Sequence, residues 1–426
     1  CNQNISIMQI KTGKGTISLF VVLAIWSLSL AVNLPGLAVT PVLNSLDKIF
    51  GNVSHLEVQL LTVLPNVLII PFVLLGGKLS MSNHKIAIVV SSLLIYLVAG
   101  ILYLFSSTMT ELIIISCLLG VGCGLLIPFS TGLIADVFVG KYRVKQMGII
   151  SAIGNLSVVI ATVIVGYIVK VNWHYPFLVY LIPIIPLLLS PWLKKIPADD
   201  LNPQTSNSGS SDDSQAADEA PLYPAKPGEK VVGGFYLGRT IWLLLAYFFF
   251  VYATTVPSVY MSYVVNSEDA GNITSVFYLA MMILGFALTP VLKVFKGSSF
   301  VFAMATIVGG FAIMSFSKDA MWLGVAYCIM GIGNGIAQPI FYNKATENIT
   351  SQSRSTLSLA ILLVANYAAI SLVPEIVSGA EYIFHISEKD ATFPFLMNFI
   401  ASAIVFVILI VRMNGFVFGI KKEYYE

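Results

Sequence analysis

Long apolar runs alternate with short polar interruptions along this chain, and that alternation predicts its elements. A membrane-spanning helix needs about 20 apolar residues. Runs of that kind lie near 17–41, 56–76, 86–106, 112–137, 146–169 and 175–193. Six more lie near 240–264, 273–292, 299–317, 321–343, 356–378 and 392–413. The stretch between the two sets is different material. Its SNSGSSDD run (206–213) and the Ala- and Pro-rich sequence that follows cannot bury enough apolar surface to order themselves. The pattern predicts an all-α polytopic membrane protein with 12 transmembrane helices in two six-helix bundles. The expected parts are a polar arm at 1–15, a first bundle at 16–195, a flexible linker at 196–236, a second bundle at 237–415 and a tail at 416–426. The first run shows no signal-peptide pattern and reads as a retained span.

The two sets repeat each other. CLLGVGCGLLIP (117–128) is followed by Asp136, Arg143 and Asn155, and CIMGIGNGIAQP (328–339) by Glu347, Arg354 and Asn366. Every matched pair is 211 positions apart. Two glycine-rich apolar helices can look alike by composition alone, but that does not account for an acid-x6-Arg spacing kept in the same register. The halves are a parallel internal repeat.

Composition decides where such a chain lives. With 57% hydrophobic residues, 10% charged residues and a mean hydropathy of +0.87, it is far too apolar for water. The net charge of +2 gives no reason to expect a nucleic-acid partner. Lysine and arginine then set the topology. With both termini cytoplasmic and alternating connections, only Lys48, Lys170, Lys318 and Lys389 of the 23 basic residues fall outside. The positive-inside rule places the chain in the cytoplasmic membrane as a multi-pass protein.

At this point the chain resembles the major facilitator superfamily. GLIADVFVGKYR (132–143) resembles the end of that family's fourth helix and the loop after it. Asp136-x6-Arg143 and Glu347-x6-Arg354 resemble the acid–arginine pairs at equivalent places in its two halves. GGKLSMSNHK (76–85) resembles the loop between helices two and three, G-x-L-x-D-R-x-G-R-R. Gly77, Leu79 and Lys85 match; Met81 stands in place of the aspartate, and Ser82 and His84 in place of the arginine and glycine. Ser116 stands where many relatives carry an arginine, and the fifth helix lacks the Gly-Pro-x-x-Gly-Gly signature of drug/proton antiporters. The resemblance implies a two-bundle transporter fold and leaves the subfamily open.

The residues then suggest roles. Gly120 with Gly124, and Gly331 with Gly335, each share a helix face and permit close helix approach, so helix packing is their expected use. Asp136, Arg143, Glu347 and Arg354 sit where spans meet the cytoplasm, and as acid–arginine pairs they are expected to latch that side. The loss of the aspartate at Met81 removes one partner from the first latch. Amides and phenols placed at depth are the candidate solute contacts: Asn33, Asn66, Asn155, Tyr252, Asn334, Gln338, Asn366 and Tyr367. Asn334, Gln338 and Tyr342 are spaced by four and form one polar stripe. Prolines (Pro35, Pro65, Pro71, Pro128, Pro257, Pro339) interrupt several spans without singling out a site.

No Asp, Glu, Lys, Arg or His falls in the middle third of any run, so an uncharged cavity is expected. The expected cargo is a small neutral or amphipathic organic solute, moved by alternating access of two rocking halves. Drug-like efflux is the favoured direction, and uptake of a sugar or nucleoside is the alternative. Coupling to protons would have to run through Asp136, Glu347 or Glu375. A lipid translocase and a transporter-like receptor are the readings from other classes. An enzyme is not expected: His55, His84, His174 and His385 all fall at loops, and no nucleophile–base set, metal site or cofactor motif is present. The four cysteines (Cys1, Cys117, Cys123, Cys328) lack metal or redox spacing. The expected partners are the solute, the lipid bilayer and protons, with the protein acting as a monomer.

Overall fold

A computed structural model describes residues 9–35, 55–82, 84–168, 171–196, 229–265, 267–351, 354–386, 392–412 and 415–425. A short hairpin, β1 (Gln9–Lys11) and β2 (Thr16–Ser18), leads into the first half. There follow α1 (Leu19–Val32), α2 (His55–Leu79), α3 (Lys85–Tyr103), α4 (Met109–Val137) and α5 (Gly140–Ile168). A 3-10 turn (Tyr175–Leu181) and α6 (Ile184–Leu193) complete it. A second hairpin, β3 (Val231–Val232) and β4 (Phe235–Tyr236), opens the other half. That half contains α7 (Leu237–Val264), α8 (Ser267–Phe286), α9 (Leu288–Phe295), α10 (Ser299–Phe316) and α11 (Ala320–Glu347). It ends with α12 (Ser355–Ser371), α13 (Val373–Phe384) and α14 (Phe393–Arg412).

Among the described residues, nine helices are long and apolar enough to cross a membrane, or ten if the bent pair α12–α13 is one span. Two shorter apolar helices, 19–32 and 64–79, coincide with the remaining predicted runs. The breaks have local causes. α1 stops at Asn33, two residues before Pro35, and the rest of its predicted run lies outside the described residues. α12 and α13 meet at 49°, where Pro374 opens α13 and cannot donate to the preceding turn. Pro65, Pro71, Pro128, Pro257 and Pro339 instead sit inside helices that continue through them. Helix starts carry their own signals. Thr108 and Glu111 form a reciprocal capping box on α4, and Asp319 accepts from Met321 and Trp322 N–H at the start of α11.

The glycine repeat builds the same packing twice. A Cβ on Gly120 would lie 2.8 Å from the Pro65 carbonyl of α2, and one on Gly331 would lie 2.6 Å from the Phe277 carbonyl of α8. Gly124 and Gly335 press on the same two helices one turn further on. Gly122 and Gly333, on the opposite face, meet α3 and α10. In each half the long central helix is therefore clasped between two neighbours at backbone distance, which is how helices associate when lipid gives no hydrophobic drive. The perimeter is apolar and uncovered: Val411 is 77% exposed, and Leu94, Val98, Ile400, Ile404 and Val407 are likewise exposed. Such a surface is suited to lipid tails rather than water.

The hairpins also repeat. Val139 N–H donates to the Thr12 carbonyl at 3.0 Å, and Thr350 N–H donates to the Gly234 carbonyl at 3.0 Å. Val139 and Thr350 are again 211 positions apart. Positive φ at Gly13 (95°) and Gly234 (84°) lets each turn lie flat on its loop, a conformation that favours glycine. So the end of the polar arm and the end of the linker are ordered braces, which their polar composition did not announce. Residues 1–8 and 197–228 of those two segments lie outside the described residues.

Candidate functional site

The halves meet along helices from opposite bundles: α2 on α12, α4 on α12, α5 on α8 and α5 on α11. At the lysine-rich end the approach is made by glycines. A Cβ on Gly148 would sit 2.6 Å from the Gly285 carbonyl, and one on Gly285 would sit 2.8 Å from the Gly148 carbonyl. A Cβ on Gly77 would come to 2.3 Å from the Ala360 Cβ, and one on Gly132 to 2.2 Å from Thr356 Oγ1. Real side chains do not tolerate such distances, so this end of the seam is shut at backbone contact.

Charged groups complete the closure, in a different way from the sequence expectation. Neither acid pairs with the arginine seven positions on. Asp136, 2% exposed, accepts from Lys85 Nζ at 2.8 Å and from Ser355 Oγ of the opposite half at 2.8 Å. Arg143 donates through Nε to the Phe138 carbonyl at 2.8 Å and through Nη1 to Thr346 Oγ1 of the opposite half at 3.1 Å. Glu347 accepts from Asn343 Nδ2 at 2.7 Å, from Lys344 Nζ at 3.4 Å and from the Tyr424 hydroxyl. Arg354 turns away to the Gly233 carbonyl of the second hairpin. Because α5 restarts at Gly140, Arg143 faces the seam and not Asp136. Lys85, already matched in the loop motif, is the cation that Asp136 takes in place of Arg143.

Toward the middle of the seam lies a small cavity of about 30 Å³, lined from both halves by Ser29, Asn33, Ser130, Thr131, Gln338 and Tyr342 among others, all neutral. A polar chain crosses it. Ser151 Oγ donates to Gln338 Oε1 at 3.1 Å, and Gln338 Nε2 donates to the Tyr342 hydroxyl at 3.0 Å. The Tyr247 hydroxyl lies 3.5 Å from that of Tyr342 and donates to Asn366 Oδ1 at 3.1 Å. Of the candidate solute contacts, Asn33 and Gln338 line this cavity and Asn366 ends the chain. Asn155 shares the helix face of Ser151 one turn on; it is 2% exposed, and its Nδ2 has no partner among the described residues. Asn334 and Tyr367 are buried, and Asn66 is half-buried and hydrogen-bonded or otherwise engaged, but none of the three is on the cavity lining. Tyr252 lies beside Asn398 of α14, inside the second half. A second cavity, about 30 Å³, also lies within that half and is walled by apolar side chains, among them Phe249, Phe250, Phe300 and Phe341.

Ser151, Tyr247, Lys85 and Ser355 were missed from sequence. Ser151 had one available signal, its place one turn before Asn155. Tyr247 and Ser355 had none, since each acts on a residue more than 100 positions away.

A sequence model described as Major Facilitator Superfamily matches residues 16–374. The chain belongs to that superfamily. Its superfamily and fold are those of transporters, which carry small-molecule solutes. Multidrug transporter protein MdtP of Bacillus subtilis (strain 168) is 35% identical over 164 residues, covering 37% of this chain and 30% of that one. Quinolone resistance protein NorA of Staphylococcus aureus (strain MRSA252) is 29% identical over 114 residues, 27% of this chain and 29% of that one. The chain thus spans about a third of the length of the curated relatives it matches. Among solved structures, the human organic anion transporter MFSD10 (TETRAN) superposes with a TM-score of 0.66 at 15% identity, covering 90% of this chain and 99% of that one. The proton:xylose symporter XylE gives 0.62 at 13% identity, covering 92% and 95%. At such identities these likenesses speak for the fold alone. They agree with the two-bundle architecture that this superfamily member shows.

Proposed function

We infer that this transporter moves a small neutral or amphipathic organic solute across the cytoplasmic membrane by rocking its two halves about the central cavity. The lysine-rich end faces the cytoplasm, and the arrangement described is the one closed on that side. The observation that carries this reading is the polar chain from Ser151 through Gln338 to Tyr342, which crosses between the halves in a cavity walled by neutral side chains. A solute with hydroxyl, carbonyl or amide groups can exchange hydrogen bonds with such a chain, whereas an ion would enter without a countercharge. Asn33, Asn155, Gln338 and Asn366 are the nearest contacts, with Asn66, Asn334, Tyr252 and Tyr367 further from the chain. Asp136 and Arg143, through Ser355 and Thr346, hold the cytoplasmic side; Glu347 and Arg354 support it from within the second half. Drug-like efflux is the preferred direction, in keeping with the multidrug and quinolone-resistance relatives.

The test is flux in proteoliposomes using norfloxacin, ethidium, D-xylose and uridine, with and without a proton gradient, for wild type and Gln338→Ala. Movement of norfloxacin, reduced at least tenfold in Gln338→Ala, is the expected result. Xylose or uridine movement lost in the same variant would turn the reading to nutrient uptake. Gradient-driven ethidium movement untouched by Gln338→Ala would sink the neutral-cavity argument.

A further inference from the structure

The segment after α14 does not hang free of the bundle. Residues 415–425 fold back over the lysine-rich end and are held there by aromatic side chains. The Phe416 ring lies 5.3 Å from the Arg239 guanidinium and 5.3 Å from the Lys344 ammonium. Phe418 meets Phe300 edge-on at 5.9 Å and helps close the apolar cavity of the second half. Ile420, Lys421 and Tyr424 are buried, and the 3-10 turn Lys422–Tyr424 ends on the carboxylate of Glu347, to which the Tyr424 hydroxyl donates. Burial and the neighbouring Glu347 charge hold the Tyr424 phenol well above its ordinary pKa, so it remains a neutral donor.

This turn touches both halves. It packs on α9 of the second half and on α5 of the first. α5 is the helix whose Arg143 reaches across to Thr346, the residue before Glu347. Arg143, Thr346, Glu347 and Tyr424 therefore form one line of contacts over the cytoplasmic mouth of the seam. Opening that mouth requires the start of α5 to leave the end of α11. A segment rooted in the second half and seated against α5 must be displaced first.

We propose that residues 415–425 are a strap that holds the lysine-rich end shut, with the Tyr424–Glu347 hydrogen bond as its fastening. Tyr424 is a positioning residue: it meets no solute and acts by setting which end of the cavity is open. Glu347 keeps Asn343 and Lys344 as donors when the phenol is lost, so removing the fastening leaves no buried charge unpaired. The strap is independent of what solute is carried.

The test reads accessibility rather than transport. In a full chain with Cys1, Cys117, Cys123 and Cys328 replaced by Ala, Thr131→Cys places one thiol on the cavity wall. Sealed vesicles of each orientation are treated with a membrane-impermeant maleimide, and Tyr424→Phe and Tyr424→Ala are compared with the parent. The expected result is labelling from the lysine-rich side raised about threefold or more by Tyr424→Phe and further by Tyr424→Ala, with a fall from the opposite side. In a Glu347→Gln background, Tyr424→Phe should add little, since the fastening is already weakened. Unchanged labelling in Tyr424→Phe overturns the proposal, and so does an equal rise from both sides, which would mean general loosening. Should Tyr424→Ala fail to fold, Tyr424→Phe keeps the ring and its packing and still decides the matter.

Discussion

The two halves place an acid and an asparagine at the same repeat positions and then use them differently. Asp136 ends its helix with one bond inside its half, to Lys85, and one across the seam, to Ser355. Glu347 ends the equivalent helix wholly among neighbours of its own half. Asn366 is engaged by the Tyr247 hydroxyl, whereas the Asn155 amide nitrogen has no partner among the described residues. Duplication therefore preserved what the backbone needs, the glycine clasps and the braced loops, while the side chains facing the seam diverged. A solute moved between two halves meets two different walls, and the asymmetry comes from partners rather than from the repeated residues themselves.

The largest expected effect breaks the acid comparison. Asp136→Ala leaves the buried Lys85 ammonium without a counterion, which costs about 3–5 kcal/mol. It also removes the cross-seam bond, so loss of thermal stability in detergent should come with greater access from the lysine-rich side. Glu347→Ala should also destabilise, through Lys344, and should raise access from the lysine-rich side less than Asp136→Ala, through loss of the Tyr424 fastening alone, because Asp136 and Ser355 still hold the seam. Equal access changes in the two variants would show that the acids are not differently employed.

A smaller effect sharpens the asparagine comparison. Asn366→Leu leaves the Tyr247 hydroxyl with only its longer 3.5 Å contact to Tyr342 and should cost about 1–3 kcal/mol. Asn155→Leu removes a donor that lacks a partner and should leave stability unchanged or raise it by up to about 1 kcal/mol. Melting temperatures of the two variants side by side decide this, and a drop in Asn155→Leu as deep as in Asn366→Leu would show a structural partner at Asn155. A loss of the same order as in Asn366→Leu is expected from Ser355→Ala. It deletes one hydrogen bond to a buried carboxylate across the seam, about 1.5–3 kcal/mol at most, while Lys85 still compensates the charge. Stability should fall by no more than that, and the populations of the two conformations should shift. An unchanged labelling ratio at the lysine-rich side would remove Ser355 from the closure.

Much of the fold was legible in the chain because its signals are local. An apolar run of about 20 residues names a span, and a glycine every second position on a helix names two close neighbours. The departures fall where local propensity was overridden: the bend at Leu372 before Pro374, and the hairpins at 9–18 and 231–236 inside polar segments. Of the candidate site, the i, i+4 spacing from Gln338 to Tyr342 was readable, because one helix carries both residues. Ser151 opposite Gln338 was not, since that pairing depends on how two bundles lean together.

Taken alone, the sequence determined a two-half membrane protein with a repeated glycine-and-acid motif, a predicted lysine-rich side and a neutral centre. Each follows from what neighbouring residues can do in hydrocarbon or at its surface. The tertiary structure decided that the lysine-rich end is shut, that Asp136 answers to Lys85 and Ser355 rather than to Arg143, and that residues 415–425 lie across the mouth. Asp136 and Ser355 are 219 positions apart, and no periodicity reaches that far. Whether their side chains meet depends on the packing of α4 against α12 to within a few ångströms, and that is set by the whole of both bundles at once.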